Sequence, residues 1–155
     1  MKNIKPKLVA LLKTGHCTPQ IARLAKRLRE PAATLHYNLR KMEKDGDILA
    51  YKAVFDHKKI DEGFCSLVLI NLSPDEYGDP ERIGKELARH PEIEMVDICT
   101  GDWELVIKVR TKDQDEYYQF VKNVISRKGV IKIKTLTSLK QMKSEFIERE
   151  EKKRS

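Results

Sequence analysis

The chain has 155 residues, 40% of them hydrophobic and 35% charged, enough for one ordinary domain or two small ones with a core in each. Its net charge of +7 is entirely N-terminal: residues 1–50 carry 11 Lys and Arg against 4 Asp and Glu, while the remaining 105 hold 20 of each sign. No apolar run approaches the roughly 20 residues of a spanning helix, the N-terminus lacks a signal-peptide core, and Cys17, Cys65 and Cys99 are too far apart for a disulfide framework or a CxxC metal knuckle.

These exclusions leave a protein expected in the cytoplasm, without membrane contact. A compact basic domain fused to a larger neutral one is the footprint of a nucleic-acid reader carrying a separate module.

In the basic part, Ile4, Leu8, Leu11 and Leu12 recur at the spacing of one helical face, with Lys5, Lys7 and Lys13 turned away and Gly15 available to end the helix. Thr18 and Pro19 offer an N-cap and a first-turn proline to a second helix with Ile21, Leu24, Ala25 and Leu28 inward. A third starts near Pro31, turns Leu35, Leu39 and Met42 inward, and stops at Gly46. Three short helices so spaced predict a helix-turn-helix whose last helix enters the DNA major groove.

At 100° per residue, Ala33, Tyr37, Arg40 and Lys44 lie opposite the core side of that helix, flanked by Thr34, His36 and Lys41. The small Ala32 and Ala33 at its start allow close approach to base edges. Tyr37, His36 and Arg40 can donate hydrogen bonds, and Arg40 can grip a guanine through two of them. Lys41 and Lys44 suit phosphate. Taken alone, the stripe is equally a solvated basic face. Its coincidence with the charge split and the helix spacing favours DNA.

A linking strand is expected over 48–55, followed by the charged bridge HKKIDEG. The nearly unbroken apolar run 64–72 reads as a strand buried on both faces. Asp79 and Pro80 open a helix with Ile83, Leu87 and Ala88 inward, ended by Pro91. Strands over 93–100 and 104–111 are joined by a turn at Gly101, Asp102 and Trp103. Asp113, Asp115 and Glu116 complement the dipole at the start of a second helix marked by Tyr117, Phe120, Val121, Val124 and Ile125. Alternating Ile131, Ile133, Thr135 and Lys132, Lys134 give a fourth strand over 130–139.

The expected fold class is therefore α+β. It comprises an N-terminal three-helix winged helix-turn-helix domain (1–50), a strand linker (51–63), a C-terminal ferredoxin-like βαββαβ domain with an antiparallel sheet (64–143), and a charged tail (144–155) that is frayed helix or disordered.

Two stretches resemble the Lrp/AsnC regulators, the leucine-responsive or feast/famine family. In AKRLREPAATLHYNLRKMEKDGDILAYKAVFDHKKID the matching residues are Ala25, Lys26, Arg27, Thr34, Leu35, Arg40, Lys41, Glu43, Gly46, Ile48, Tyr51, Ala53, Val54 and Asp56. TGDWELVIKVR, residues 100–110, is similar to the family's glycine loop and strand. Arg29 stands where the family often has a turn glycine; His36, Tyr37 and Asn38 replace a more usual Ser-Arg-Arg, implying a different preferred sequence. Asp47 replaces an apolar residue.

The resemblance implies a sequence-specific transcription regulator that binds a roughly palindromic double-stranded operator as a homodimer or higher oligomer. It also implies an amino acid as effector. Carried over, Gly101 permits close backbone approach, Asp102 and Glu104 receive an ammonium group, Trp103 covers an apolar side chain, and Thr135 and Thr137 complete the pocket. Glu104 stands where the family usually has Asp, and a plain hairpin turn explains Gly101 and Asp102 equally well.

No motif of catalysis is present: there is no GxSxG, Walker loop, HExxH or His/Cys cluster. His57 and His90 read as solvated turn residues, and His16 as an exposed or capping one. No catalytic residue, metal or cofactor is expected. One enzymatic alternative stays open, because sirohaem decarboxylases resemble the same family in both domains and bind a tetrapyrrole between them. The charge asymmetry argues against it. A third reading is an effector-sensing assembly protein without DNA contact.

Overall fold

A computed structural model describes residues 2–148 and divides into two compact units, 1–55 and 56–155. The first holds three helices: α1 (Lys5–Lys13), α2 (Ile21–Leu28) and α3 (Ala32–Asp45). Helix α2 begins after the expected Thr18-Pro19 start, with Gln20 at its N-cap, and α3 takes Pro31 as its N-cap rather than its first turn. Three stripes expected to face inward are only partly covered. Leu35 alone is buried, whereas Leu8, Leu11, Leu24, Leu28 and Met42 are 47%, 50%, 37%, 63% and 40% exposed. Helices of 9, 8 and 14 residues enclose too little volume to cover three apolar faces.

Residues 48–55, expected as a strand, form none. Ala53 donates its N–H to the Leu12 carbonyl (3.1 Å), but a strand exists only by pairing, and no ladder partner is present among the described residues. Without that strand the wing is not formed.

The second unit follows the βαββαβ order. Strands β1 (Phe64–Leu72), β2 (Ile93–Ile98), β3 (Leu105–Thr111) and β4 (Val130–Thr137) form an antiparallel sheet in the order β2-β3-β1-β4. Helices α4 (Pro80–Leu87) and α5 (Gln114–Phe120) supply the crossovers, and α5 widens into a π-type turn over Val121–Ile125. Ala88, expected inward, caps α4 and is exposed. The core joins Val68, Ile70 and Leu72 of β1 and Leu105, Ile107 and Val109 of β3 to Ile83 and Leu87 of α4 and Tyr117, Phe120 and Ile125 of the α5 segment.

The opposite face of the sheet is open. Leu67 lies between Lys108 on β3 and Leu136 on β4, Leu69 between Val106 and Lys134. Leu67 is 39% and Leu136 46% exposed, while Cys65 is buried and Leu69 half-buried, so the second face of β1 is only partly covered, contrary to the reading of its apolar run. Strand residues alternate between faces, and the two helices of this unit cover just one.

After β4 the chain forms a small hairpin, β5 (Lys143–Ser144) with β6 (Ile147–Glu148), where a frayed helix or disorder was expected. The rest of the tail expectation, 149–155, lies outside the described residues. Gln141 is tied to Arg110, whose Nη2 donates to its Oε1 (3.3 Å). Arg110 Nε also donates to Glu94 (2.5 Å), and Lys108 pairs with the same carboxylate (3.0 Å).

His57 lies against Glu62 (3.2 Å) and Glu94 (3.7 Å) with its side chain 13% exposed, which corrects its reading as a solvated turn residue. His90 likewise packs edge-on to Phe120, ring centroids 5.9 Å apart. Burial, then the Arg110 charge, holds the His57 pKa below its ordinary value despite both carboxylates. Burial pushes the Glu94 carboxyl up, but Lys108 and Arg110 outweigh it and bring it below the usual range.

Both shifts have one sign for stability. A depressed histidine contributes stability that is complete above about pH 6.5 and lost as pH falls through the lower folded value. A depressed carboxylate contributes stability above its ordinary value of 4.5 that is lost further down. Urea midpoints of the wild type should therefore start to fall below about pH 6.5. His57→Gln should flatten that upper part of the curve and leave the fall below about pH 4.5 in place.

Candidate functional site

Within α3 the covered positions are confined to one side of the helix. Leu35 is buried and Leu39 half-buried, whereas Ala32, Ala33, Thr34, His36, Tyr37, Arg40, Lys41 and Lys44 are all exposed. Tyr37 is 70% exposed, so its ring and hydroxyl are open to a partner. Two polar residues nearby are already engaged. The Asn38 amide donates to the Thr34 carbonyl (2.8 Å), and the Tyr51 hydroxyl donates to Glu43 (3.0 Å), tying the end of α3 to the segment that follows.

The helix starts carry the same polarity as the charge split. Neither α2 nor α3 has a side-chain N-cap or an acidic residue in its first turn. Both helices of the other unit are capped by aspartate: Asp79 accepts from the Arg82 N–H (3.2 Å) and Asp113 from the Glu116 N–H (2.9 Å). An uncapped helix start presents free N–H groups and the positive end of the dipole, whereas a carboxylate there would repel a phosphate.

The second group of residues is the loop between β2 and β3, closed by the Cys99 N–H donating to the Glu104 carbonyl (2.9 Å). Gly101 takes φ +101°, a conformation that favours glycine, and a Cβ there would have open space. Asp102 is exposed. The Lys132 ammonium lies 5.8 Å from the centre of the Trp103 ring, so a cation already occupies that aromatic face.

Glu104 is committed inside the fold. Its carboxylate accepts from the Leu72 N–H (2.9 Å) and the Asn71 amide (3.3 Å), and the same amide donates to the Asp102 carbonyl. Partial burial pushes the Glu104 carboxyl up, but these donors outweigh it and hold its pKa below the usual range. The residue latches the loop to the end of β1.

Thr135 and Thr137 are not brought to this loop within one chain. Thr135 pairs with Val68 and its hydroxyl bonds to the Tyr117 hydroxyl (2.6 Å); Thr137 pairs with Ser66. Asn71, beside the loop, is five residues further along β1 than Ser66, a separation of about 17 Å at strand rise. The Glu104 latch and the Lys132–Trp103 contact escaped the sequence because their partners are more than 25 residues away along the chain. Only the sheet register brings them together.

Among the described residues no three His, Cys, Asp or Glu side chains gather as a metal site, and no helix is long and apolar enough to cross a membrane. All three cysteines are free.

Residues 65–147 match the family model described as the Lrp/AsnC ligand binding domain. The chain is 29% identical over 127 residues to an uncharacterised HTH-type transcriptional regulator of Pyrococcus abyssi, covering 81% of this chain and 85% of the relative. Its fold is similar to that of an AsnC family transcriptional regulator from Agrobacterium tumefaciens (TM-score 0.73, 22% identity, 93% of this chain and 94% of the other). It is also similar to the transcriptional regulator NMB0573 in its L-Met complex from Neisseria meningitidis (TM-score 0.69, 18% identity, 93% of both chains). The family match covers more than half of the sequence and takes in all four strands of the sheet but for Phe64: the chain belongs to the Lrp/AsnC family of helix-turn-helix transcription regulators, which are not enzymes.

Proposed function

We propose that residues 1–50 read a specific duplex DNA sequence through the outer side of α3, and that residues 64–143 pair the subunits and sense a small molecule. The observation that carries this reading is the coincidence of three features in the basic unit. It holds all of the excess charge, its α2 and α3 start without acids, and the outer side of α3 is wholly exposed. A regulator of this kind works where the DNA is, in the cytoplasm.

Dimerisation is the reading that accounts for the open sheet face. Leu67, Leu69, Val106 and Leu136 form an apolar surface that α4 and α5 leave uncovered, and a two-fold axis through it buries the same residues from both copies. Two recognition helices then meet half-sites about one helical turn, roughly 34 Å, apart or a multiple of it. Selection of bound fragments from a random DNA pool should return a rough palindrome with that spacing. A pool that returns no shared sequence would show that the protein does not read bases.

For the effector we propose a free amino acid at the loop around Gly101. Asp102 is the carboxylate available to an ammonium group, because Glu104 is occupied as the latch. Thr135 and Thr137 join the site only from a second subunit, given their distance within one chain. The Neisseria relative holds L-Met, which makes methionine the first amino acid to try. In a thermal-shift screen of free amino acids at millimolar concentration, at least one should raise the melting temperature of the wild type and not of Asp102→Asn. A flat response across the whole panel would remove the amino-acid reading.

A further inference from the structure

The turn between α2 and α3 is closed by an unusual residue. All three helices of the basic unit end beside a left-handed backbone position: Gly15 at φ +91° beyond α1, Gly46 at φ +82° after α3, and Arg29 at φ +57° after α2. The conformation at Arg29 is imposed by the helix end, where the Arg29 and Glu30 N–H groups both donate to the Ala25 carbonyl. Glycine would close this turn with less strain, as it does at the other two ends. Asp61 and Glu145 take similar angles, so the conformation alone does not select arginine; what sets Arg29 apart is an exposed cation at the turn that leads into α3.

Dipole compensation does not account for that cation, because Lys26 and Arg27 already occupy the last turn of α2. Arg29 is exposed, and its guanidinium has no acidic partner among the described residues. It stands two residues before Pro31, the N-cap of α3, at the end of the recognition helix that goes deepest into a major groove. There the walls of the groove are phosphates.

We propose that Arg29 holds a backbone phosphate at the mouth of the groove and fixes the depth at which α3 docks. The contact is independent of base sequence, and it rests on the DNA-reading function proposed above. It also accounts for a strained arginine at a turn that glycine would stabilise. The protein gives up some stability for a contact that positions α3.

The test compares wild type with Arg29→Gly, Arg29→Asn and Arg29→Lys in the full chain. Denaturant midpoints are measured together with affinity for the selected operator and for a scrambled duplex over a range of salt. Arg29→Gly and Arg29→Asn should unfold at the same or higher denaturant than wild type, since both residues tolerate the left-handed region.

Both should nevertheless bind the two duplexes about tenfold more weakly, with a salt dependence shallower by about one unit of slope. Arg29→Lys keeps the charge and should keep the slope. An unchanged slope and affinity in Arg29→Gly would make the residue only a helix end, and a lowered denaturant midpoint would make it a stabilising one; either result overturns the proposal. A wild type that binds neither duplex would instead overturn the DNA-reading function itself.

Discussion

Arg40→Ala is expected to cost about 1 to 3 kcal/mol of affinity at one base position of the selected operator and to relax the preference there, while affinity for scrambled duplex changes little. Arg40 is exposed on the outer side of α3, about two turns beyond the small residues Ala32, Ala33 and Thr34 that would let the helix start approach base edges. A guanidinium there can meet the two acceptors of a guanine edge together, and its loss leaves both unpaired.

Lys44, in the last turn of the same helix, is the phosphate contact of the proposed reading. Lys44→Ala should weaken every sequence alike and flatten the salt dependence by about one unit of slope. Binding measured for both variants on the operator, on single-base variants of it and on scrambled DNA separates the two roles. Equal losses on every duplex would show that Arg40, too, meets only phosphate.

Leu67→Glu is expected to convert the dimer to monomer, raising the dimer dissociation constant at least about a hundredfold, because the carboxylate would be buried against its own copy near a two-fold axis. Leu67 points away from the core residue Val68, between Lys108 and Leu136 on the face opposite α4 and α5. Substitution at such a position should change the folding stability of the isolated subunit by no more than about 0.5 kcal/mol. Sedimentation equilibrium with urea denaturation at matched concentration checks both statements. Affinity for the palindrome should fall with the dimer, since two linked recognition helices gain from effective concentration and separate ones do not. A variant that stays dimeric would place the subunit interface elsewhere.

Most of the architecture was readable from the residues because it rests on local signals. Periodic leucines mark α1, α2 and α3, Asp79 and Asp113 cap α4 and α5, and Gly101 makes the turn before β3. The departures share a different cause. The strand expected over 48–55 does not form for want of a partner, β1 has one open face because two helices cover one side of a sheet, and the tail pairs with itself as β5 and β6. Each depends on what lies beside a segment, which its own composition does not contain.

The candidate sites divide in the same way. The outer face of α3 follows from 100° per residue and needs no tertiary information, whereas the roles around Gly101 do. Glu104 and Asp102 are two acids in one loop, and nothing in their spacing separates a ligand group from a latch. The sheet does, by setting Glu104 against the Leu72 N–H and the Asn71 amide.

By itself the sequence determined the charge division, the five main helices, the four strands of the sheet and which residues of α3 lie opposite its apolar side, because periodicity and capping act within a few residues. Only the tertiary structure decided that Arg29 closes its turn at positive φ, that Glu104 is bound internally, and that Leu67 lies on an uncovered face. Those properties arise from backbone geometry and from contacts between distant segments, which exist only once the chain has folded.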